Sequence, residues 1–376
     1  MNHSPATKDA QDTSATHAFT VEHATNPLDD ATREAALENP KFGSHFTDHM
    51  AIVSYTAARG WHDAKICPRR PLMLDPAASV FHYGQEIFEG MKAYRTQHGD
   101  IVTFRPRENA RRFRDSARRM AMPELPETLF MQSLESLMAC DHAWVPQGRG
   151  QSLYIRPFMI ATEALLGVRP AREYQFIVIA TPAGNYFDKA CVDIWVTEHF
   201  ARAAMGGTGA AKCGGNYAAG LMAQREAAEQ GCDQVLFLDA ATRQYVEELG
   251  GMNVVFVRDD NTLVTPRLTG TILPGITRDA ITTIASYLNL AVEETQIAID
   301  DIFEGAQSGR YREAFACGTA AVVSPIGRLK RRDHIVSFGD GESPGPVTSS
   351  ILENLTDIQY GRKPDPYGWV ETLFRA

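Results

Sequence analysis

Apolar residues along the chain fall into two repeating patterns. Short continuous runs of strand length occur at 51–55 (AIVSY) and 101–104 (IVTF). After Pro106, RENARRFRDSARRM sets Ala110, Phe113, Ala117 and Met120 at helical spacing with arginines on the other face, and Pro123 and Pro126 stop the helix. LFMQSLESLMACDHAWV reads as a second helix. SLYIRPFMIA and YQFIVIATPAG read as strands, the latter apolar throughout, as in a buried sheet.

The pattern breaks at residues 181–190, TPAGNYFDKA, where Pro, Gly, Asn and Asp separate two apolar strands. Beyond it CVDIWVTEHF is a strand, AAGLMAQREAAEQ a helix closed by Gly231, DQVLFLDA and MNVVFV are strands, and RDAITTIASYLNL is another amphipathic helix. These runs predict a polar, disordered tail over 1–40, a smaller N-terminal α/β domain over 41–180, a linker at 181–190 and a larger domain over 191–376. The fold class is α/β or α+β, with two domains.

Composition narrows the function classes. With 37 basic and 46 acidic residues the net charge is −9, which argues against a general binder of nucleic acid or anionic membranes. No apolar stretch approaches the roughly 18–20 residues of a spanning helix. The start, MNHSPATKDAQDTSATHAF, lacks the apolar core of a secretory signal and the Arg-rich pattern of a transit peptide, so a cytoplasmic protein is expected. The six cysteines are scattered without a CxxC, which predicts free thiols and no zinc site.

The segment Gly206-Gly207-Thr208-Gly209-Ala210-Ala211-Lys212-Cys213-Gly214-Gly215-Asn216-Tyr217 carries the most chemistry. Its small residues let a ligand approach the backbone closely. A Walker loop needs Gly and Ser/Thr around the lysine, where Ala211 and Cys213 stand; a dinucleotide fingerprint needs Gly where Lys212 stands. Both nucleotide readings fail. A lysine among small residues at a helix entrance is placed to become a nucleophilic amine, as Schiff-base chemistry requires; the competing reading is a solvated loop lysine. Of the eight lysines, only Lys212 has such neighbours.

AAKCGGNYAAGLMAQREA, VLFLDA and EELGGMNVVFV resemble the branched-chain amino acid aminotransferases, pyridoxal-phosphate enzymes of fold type IV. FTDHM, FHYGQEIFEGMKAYR, FRPRENARRF, SLYIRPFMIATEALLGV, LPGITRD, FACGTAAVV and LTDIQYGR match in order, over roughly residues 40 to 365. The resemblance implies a barrel-like sheet in the larger domain and a homodimer with its sites near the subunit interface. It implies Lys212 as the residue bonded to the cofactor and as proton carrier, and Glu248 at the pyridine nitrogen, where a carboxylate keeps the ring protonated. Glu247 is expected to be an exposed strand-end acid. Tyr217 is implied at the cofactor's phenolic oxygen, and Arg105, Ile276, Thr277 and Thr319 at its phosphate. Tyr154 and Arg156, two apart on a strand and so on one face, fall at the substrate site with Tyr83. Phe46 and Phe88 match apolar pocket positions or are core. Where some members carry a redox CxxC this chain has Ala320-Ala321-Val322-Val323-Ser324, which predicts no such thiol switch.

The activity implied is reversible amino transfer between L-leucine, L-isoleucine or L-valine and 2-oxoglutarate. Alternatives on the same fold are a D-amino acid aminotransferase or aminodeoxychorismate lyase. From another class comes a catalytically silent binder of a phosphorylated ligand.

Overall fold

A computed structural model describes residues 18–376. Its first half contains β1 (Thr20–Val21), α1 (Asp30–Glu38), β2 (His49–Thr56), β3 (Gly60–Pro68), α2 (Ser79–Tyr83), β4 (Glu86–Phe88), β5 (Met91–Arg95), β6 (Ile101–Phe104), α3 (Pro106–Arg119), α4 (Glu127–Asp141), β7 (Ser152–Ala161) and β8 (Glu173–Ala183). Then come β9 (Val192–Val196), α5 (Gly214–Ala218), α6 (Leu221–Glu229), β10 (Gln234–Leu238), β11 (Val246–Leu249), β12 (Asn253–Arg258), β13 (Leu263–Pro266) and α7 (Ile276–Tyr287). The chain ends with β14 (Val292–Thr295), α8 (Ile299–Ser308), β15 (Tyr311–Gly318), β16 (Val322–Arg331), β17 (His334–Ser337), α9 (Pro346–Gln359) and β18 (Val370–Phe374).

The strands form two nine-stranded sheets. The first runs β1-β3-β2-β8-β7-β5-β6-β18, with β4 also paired to β7. The second, a curled half-barrel, runs β11-β10-β9-β16-β15-β12-β13-β14, with β17 on β16. The mixed α/β, two-domain class expected from the sequence is the one observed.

Helical period and strand alternation explain the packing. On α3 the buried positions are Asn109, Ala110, Arg112, Phe113, Ser116 and Ala117, one face of a helix. Phe113 meets Phe130 of α4 and Phe176 of β8 with ring centres 5.8 and 5.4 Å apart. A further apolar cluster joins Tyr94, Val102 and Phe104 of the first sheet to Val255, Phe315, Ile281 and Ile351 of the second unit. The two units therefore share a dry interface, and the site lies along it.

Three boundaries differ from expectation. The tail expected over 1–40 carries regular structure at 20–38: β1 pairs in parallel with β3, and Asp29 caps α1 by accepting the Thr32 N–H at 2.9 Å. A helix of nine residues carries too little apolar pattern to stand out from a polar segment. Residues 1–17 of that tail lie outside the described residues. β8 continues through Ala183 into the expected linker. The C-terminal strand β18 returns to the first sheet, antiparallel to β6. No helix among the described residues is long and apolar enough to cross a membrane.

Phe113 is fully buried among aromatic rings. Phe113→Ala should cost about 3–5 kcal/mol through lost burial and the cavity left behind, read as a lower denaturant midpoint. A variant as stable as the parent would show that this cluster does not hold the first unit together.

Candidate active site

Lys212 stands at the end of the small-residue loop, just ahead of α5. Two groups of the first unit fix its backbone: its N–H donates to the Ser116 hydroxyl at 2.9 Å, and its carbonyl accepts the Phe88 N–H at 3.0 Å. The side chain is half-buried. Nζ donates to the Tyr217 hydroxyl at 3.0 Å and lies 5.0 Å from the Phe88 ring centre. The short helix α5 makes this possible by bringing position 217 back toward position 212.

Aromatic and cationic contacts run outward from Phe88. Its ring lies 5.0 Å from that of Tyr217, and the Arg156 guanidinium lies 4.7 Å from its centre. Arg156 donates to the Tyr154 hydroxyl at 3.0 Å, so the two residues share the face of β7 that their spacing predicts. A side chain on Gly90 would collide with the Tyr154 hydroxyl, so glycine there lets the tyrosine reach inward. Phe46 does not join this group. It lies under the Arg69 guanidinium, while Phe42 packs on Tyr154 at 4.9 Å between ring centres. Nor does Tyr83, which is 40% exposed and donates to the Leu166 carbonyl.

Glu248 is buried opposite. Its Oε1 pairs with Arg202 at 2.6 Å and accepts the Leu273 N–H at 2.9 Å; among the described residues Oε2 has only the Asn253 amide at 3.4 Å. Burial pushes its carboxyl up to about 7, against the pull of Arg202, the Leu273 N–H and Lys212. Glu247, expected to be exposed, is buried and accepts the Thr271 hydroxyl at 2.5 Å. Both neighbours on β11 are buried because the strand is covered on its two faces. Glu86 also approaches the lysine turn, accepting the Gly214 N–H, and burial raises its carboxyl above the ordinary range.

The anion-binding end lies at α7. Its first residues, Ile276 and Thr277, follow Gly275 without a side-chain cap, which leaves a helix N-terminus open to an anion. A side chain on Gly275 would strike Asn253. Ile276, Thr277, Thr319 and Asn109 line one small cavity. The expected arginine is also at this end: Arg105 donates to the Ile276 carbonyl at 3.4 Å, pairs at 2.6 Å with Asp279 in the first turn of α7, and stacks on Trp369. Arg112 is a second inward-turned arginine. It holds Glu89 through two bonds of 2.7 and 2.9 Å and donates to the Pro274 carbonyl, beside α7, at 3.1 Å. Burial would raise the Glu89 carboxyl, but Arg112 and then Lys212 bring it below its ordinary value. Glu89, Arg112, Arg202 and Phe42 were missed from sequence. The one usable signal was Asn109, Arg112 and Ser116 recurring on the apolar face of α3.

A cavity of about 1300 Å³ lies between the units behind Ala320, and neither Lys212 nor Glu248 lines it. Lys92, on its wall, donates to the Ala320 carbonyl at 2.7 Å, and burial lowers its amine to about 8.

A family model described as amino-transferase class IV matches residues 86–329. A branched-chain-amino-acid aminotransferase of Mycolicibacterium smegmatis is 52% identical over 361 residues, 94% of this chain and 98% of that one. One from Mycobacterium tuberculosis is 51% identical over 367 residues, 96% of this chain and 100% of that one. Among solved structures, a branched-chain amino acid aminotransferase from Escherichia coli superposes with a TM-score of 0.70 at 28% identity, covering 87% of this chain and 99% of that one. With Lys212, Tyr217 and Glu248 gathered where the two sheets meet, the chain belongs to the branched-chain amino acid aminotransferases of class IV.

Proposed function

We propose that this chain moves the amino group reversibly between L-leucine, L-isoleucine or L-valine and 2-oxoglutarate, with pyridoxal phosphate bonded to Lys212. The supporting observation is the Lys212 amine, set between the Tyr217 hydroxyl and the Phe88 ring, with its charge acting on buried Glu248. The residues suit that cofactor chemically. Glu248 Oε2 retains capacity to accept a ring N–H, and the uncapped start of α7 with Thr319 suits a phosphate. A related branched-chain amino acid aminotransferase, 28% identical with a TM-score of 0.69 and covering 86% of this chain and 99% of that one, was solved with N-(5'-phosphopyridoxyl)-L-glutamate.

When bound, pyridoxal phosphate supplies an electron sink for negative charge at the substrate Cα. Lys212 Nζ takes the proton from Cα of the donor amino acid and delivers one to Cα of the acceptor, acting as base and then acid. Tyr217 steers the amine and offers its hydroxyl to the phenolic oxygen. Glu248 Oε2 keeps the ring nitrogen protonated. Arg105, Ile276, Thr277 and Thr319 would hold the phosphate. Tyr154 and Arg156 receive the substrate, with Phe88 and Phe42 as apolar wall.

The protein acts as a cytoplasmic homodimer on this reading. Its six cysteines are free, as a reducing compartment keeps them. Met73, Phe81, Tyr83, Leu166 and Val168 are exposed on and beside α2, and a second copy would cover them. Tyr83 would then approach a site only across that interface.

Purified protein should show a visible cofactor band that L-leucine alone depletes and 2-oxoglutarate restores with glutamate formed. Lys212→Ala should abolish turnover. A band that answers a D-amino acid instead would keep the cofactor and overturn the substrate, and no band after adding pyridoxal phosphate would sink the reading. In titrations of apoprotein, Arg105→Ala should weaken pyridoxal phosphate binding about tenfold or more, the worth of a lost charge-assisted bond. Arg105→Lys, which keeps the charge, should lose less; an Arg105→Ala protein that binds as tightly as the parent would take the phosphate role from Arg105.

A further inference from the structure

Arg202 lies in the loop after β9 and is 7% exposed. One terminal nitrogen touches Glu248 Oε1 and also donates to the carbonyls of Gly209, at 3.0 Å, and Thr271. Among the described residues it is the one cation paired with Glu248. It takes Oε1 and leaves Oε2 with a single long contact. Its bond to Gly209 reaches into the loop that ends at Lys212.

We propose that Arg202 is a positioning residue that holds Glu248 as a carboxylate and turns its free oxygen over to the ring nitrogen of the cofactor, an inference that rests on the proposed function above. The need is electrostatic. A buried carboxyl without a cation takes up a proton, and a neutral carboxylic acid does not keep a pyridine nitrogen protonated. The other ionisable groups acting on Glu248 are Lys212, its neighbour Glu247 on β11, and the Cys317 thiol on β15. Lys212 favours the charged form of Glu248 and Glu247 opposes it. Without Arg202 the carboxyl is pushed up further, and the ionised fraction at neutral pH falls.

The competing account makes Arg202 only a clamp on the Gly209 and Thr271 carbonyls. Arg202→Met removes the charge at similar volume; Arg202→Lys keeps the charge and loses the fork. In the holoenzyme, the acid limb of the L-leucine half-reaction should move up by about one to two pH units in Arg202→Met, as expected for loss of an adjacent opposite charge. The rate should recover at high pH and the KM for L-leucine should stay within about twofold. Arg202→Lys should keep the parent's limb. In apoprotein, infrared difference spectra should show a protonated carboxyl at neutral pH in Arg202→Met, absent when Glu248→Gln is added.

A folded Arg202→Met whose rate falls equally at every pH, with no such infrared band, would establish the clamp and overturn the proposal. If Arg202→Met does not fold, Arg202→Lys decides: most of the parent rate supports the charge role, and a pH-independent loss overturns it. The infrared measurement needs no bound cofactor. A parent protein whose band ignores L-leucine would therefore refute the proposed function without touching the Arg202–Glu248 result.

Discussion

Two arginines are buried where the sheets meet, each against a buried carboxylate: Arg112 on Glu89 and Arg202 on Glu248. Charges this far from water are tolerated only when paired and hydrogen-bonded, and removing one member of such a pair costs about 3–5 kcal/mol. The pairs dictate much of the local chain path. Arg112 ties α3 to the strand junction at Glu89 and, through the Pro274 carbonyl, to the approach to α7. Arg202 ties β11 to the loops at Gly209 and Thr271. Lys212 sits between the two charge pairs, and its own backbone is bonded across the interface to Ser116 and Phe88. The site is thus assembled only when both units are folded and docked.

Cost is concentrated on one further segment, the turn from β15 to β16. Val322 takes φ +59°, a left-handed conformation that a β-branched residue rarely adopts. The buried ammonium of Lys92 holds the preceding Ala320 carbonyl, with no carboxylate beside it to offset the burial. A hairpin free to choose its turn would relax both features. Its position beside Thr319 keeps it strained: the turn has to pass close to the start of α7, and β5 supplies the lysine that fixes it there.

The elements with a clean period were legible from sequence. The apolar stripe of α3, the strands β7 and β8 and the exceptional surroundings of Lys212 all follow from local rules. Long-range placement was less visible. Arg112 is one arginine among several in α3, and only the inward face it shares with Asn109 and Ser116 sets it apart. Glu247 and Glu248 alternate on a strand, so one of them was read as exposed, but β11 is covered on both faces. Phe42 and Phe46 differ by four residues in an irregular segment, where no period says which ring turns inward. Tyr83 matches a substrate position in sequence while lying on the outer surface of this chain, and no local pattern reveals that separation.

On the proposed reaction one pocket must receive an aliphatic side chain and, in the other half of the cycle, a carboxylate. A buried cation with nothing near it would make the first of these costly. Arg156 resolves the conflict through its shape. Its guanidinium lies 4.7 Å from the Phe88 ring centre and 5.3 Å from that of Tyr154, and such cation–π contacts are worth about 0.5–2 kcal/mol each. The charge is therefore partly compensated by the pocket wall when the substrate brings none. Its Nε–H is buried without an acceptor among the described residues. A lysine in this place would carry a compact, more strongly hydrated charge that cannot lie flat against a ring. The flat, delocalised cation is what lets the same walls serve both substrates.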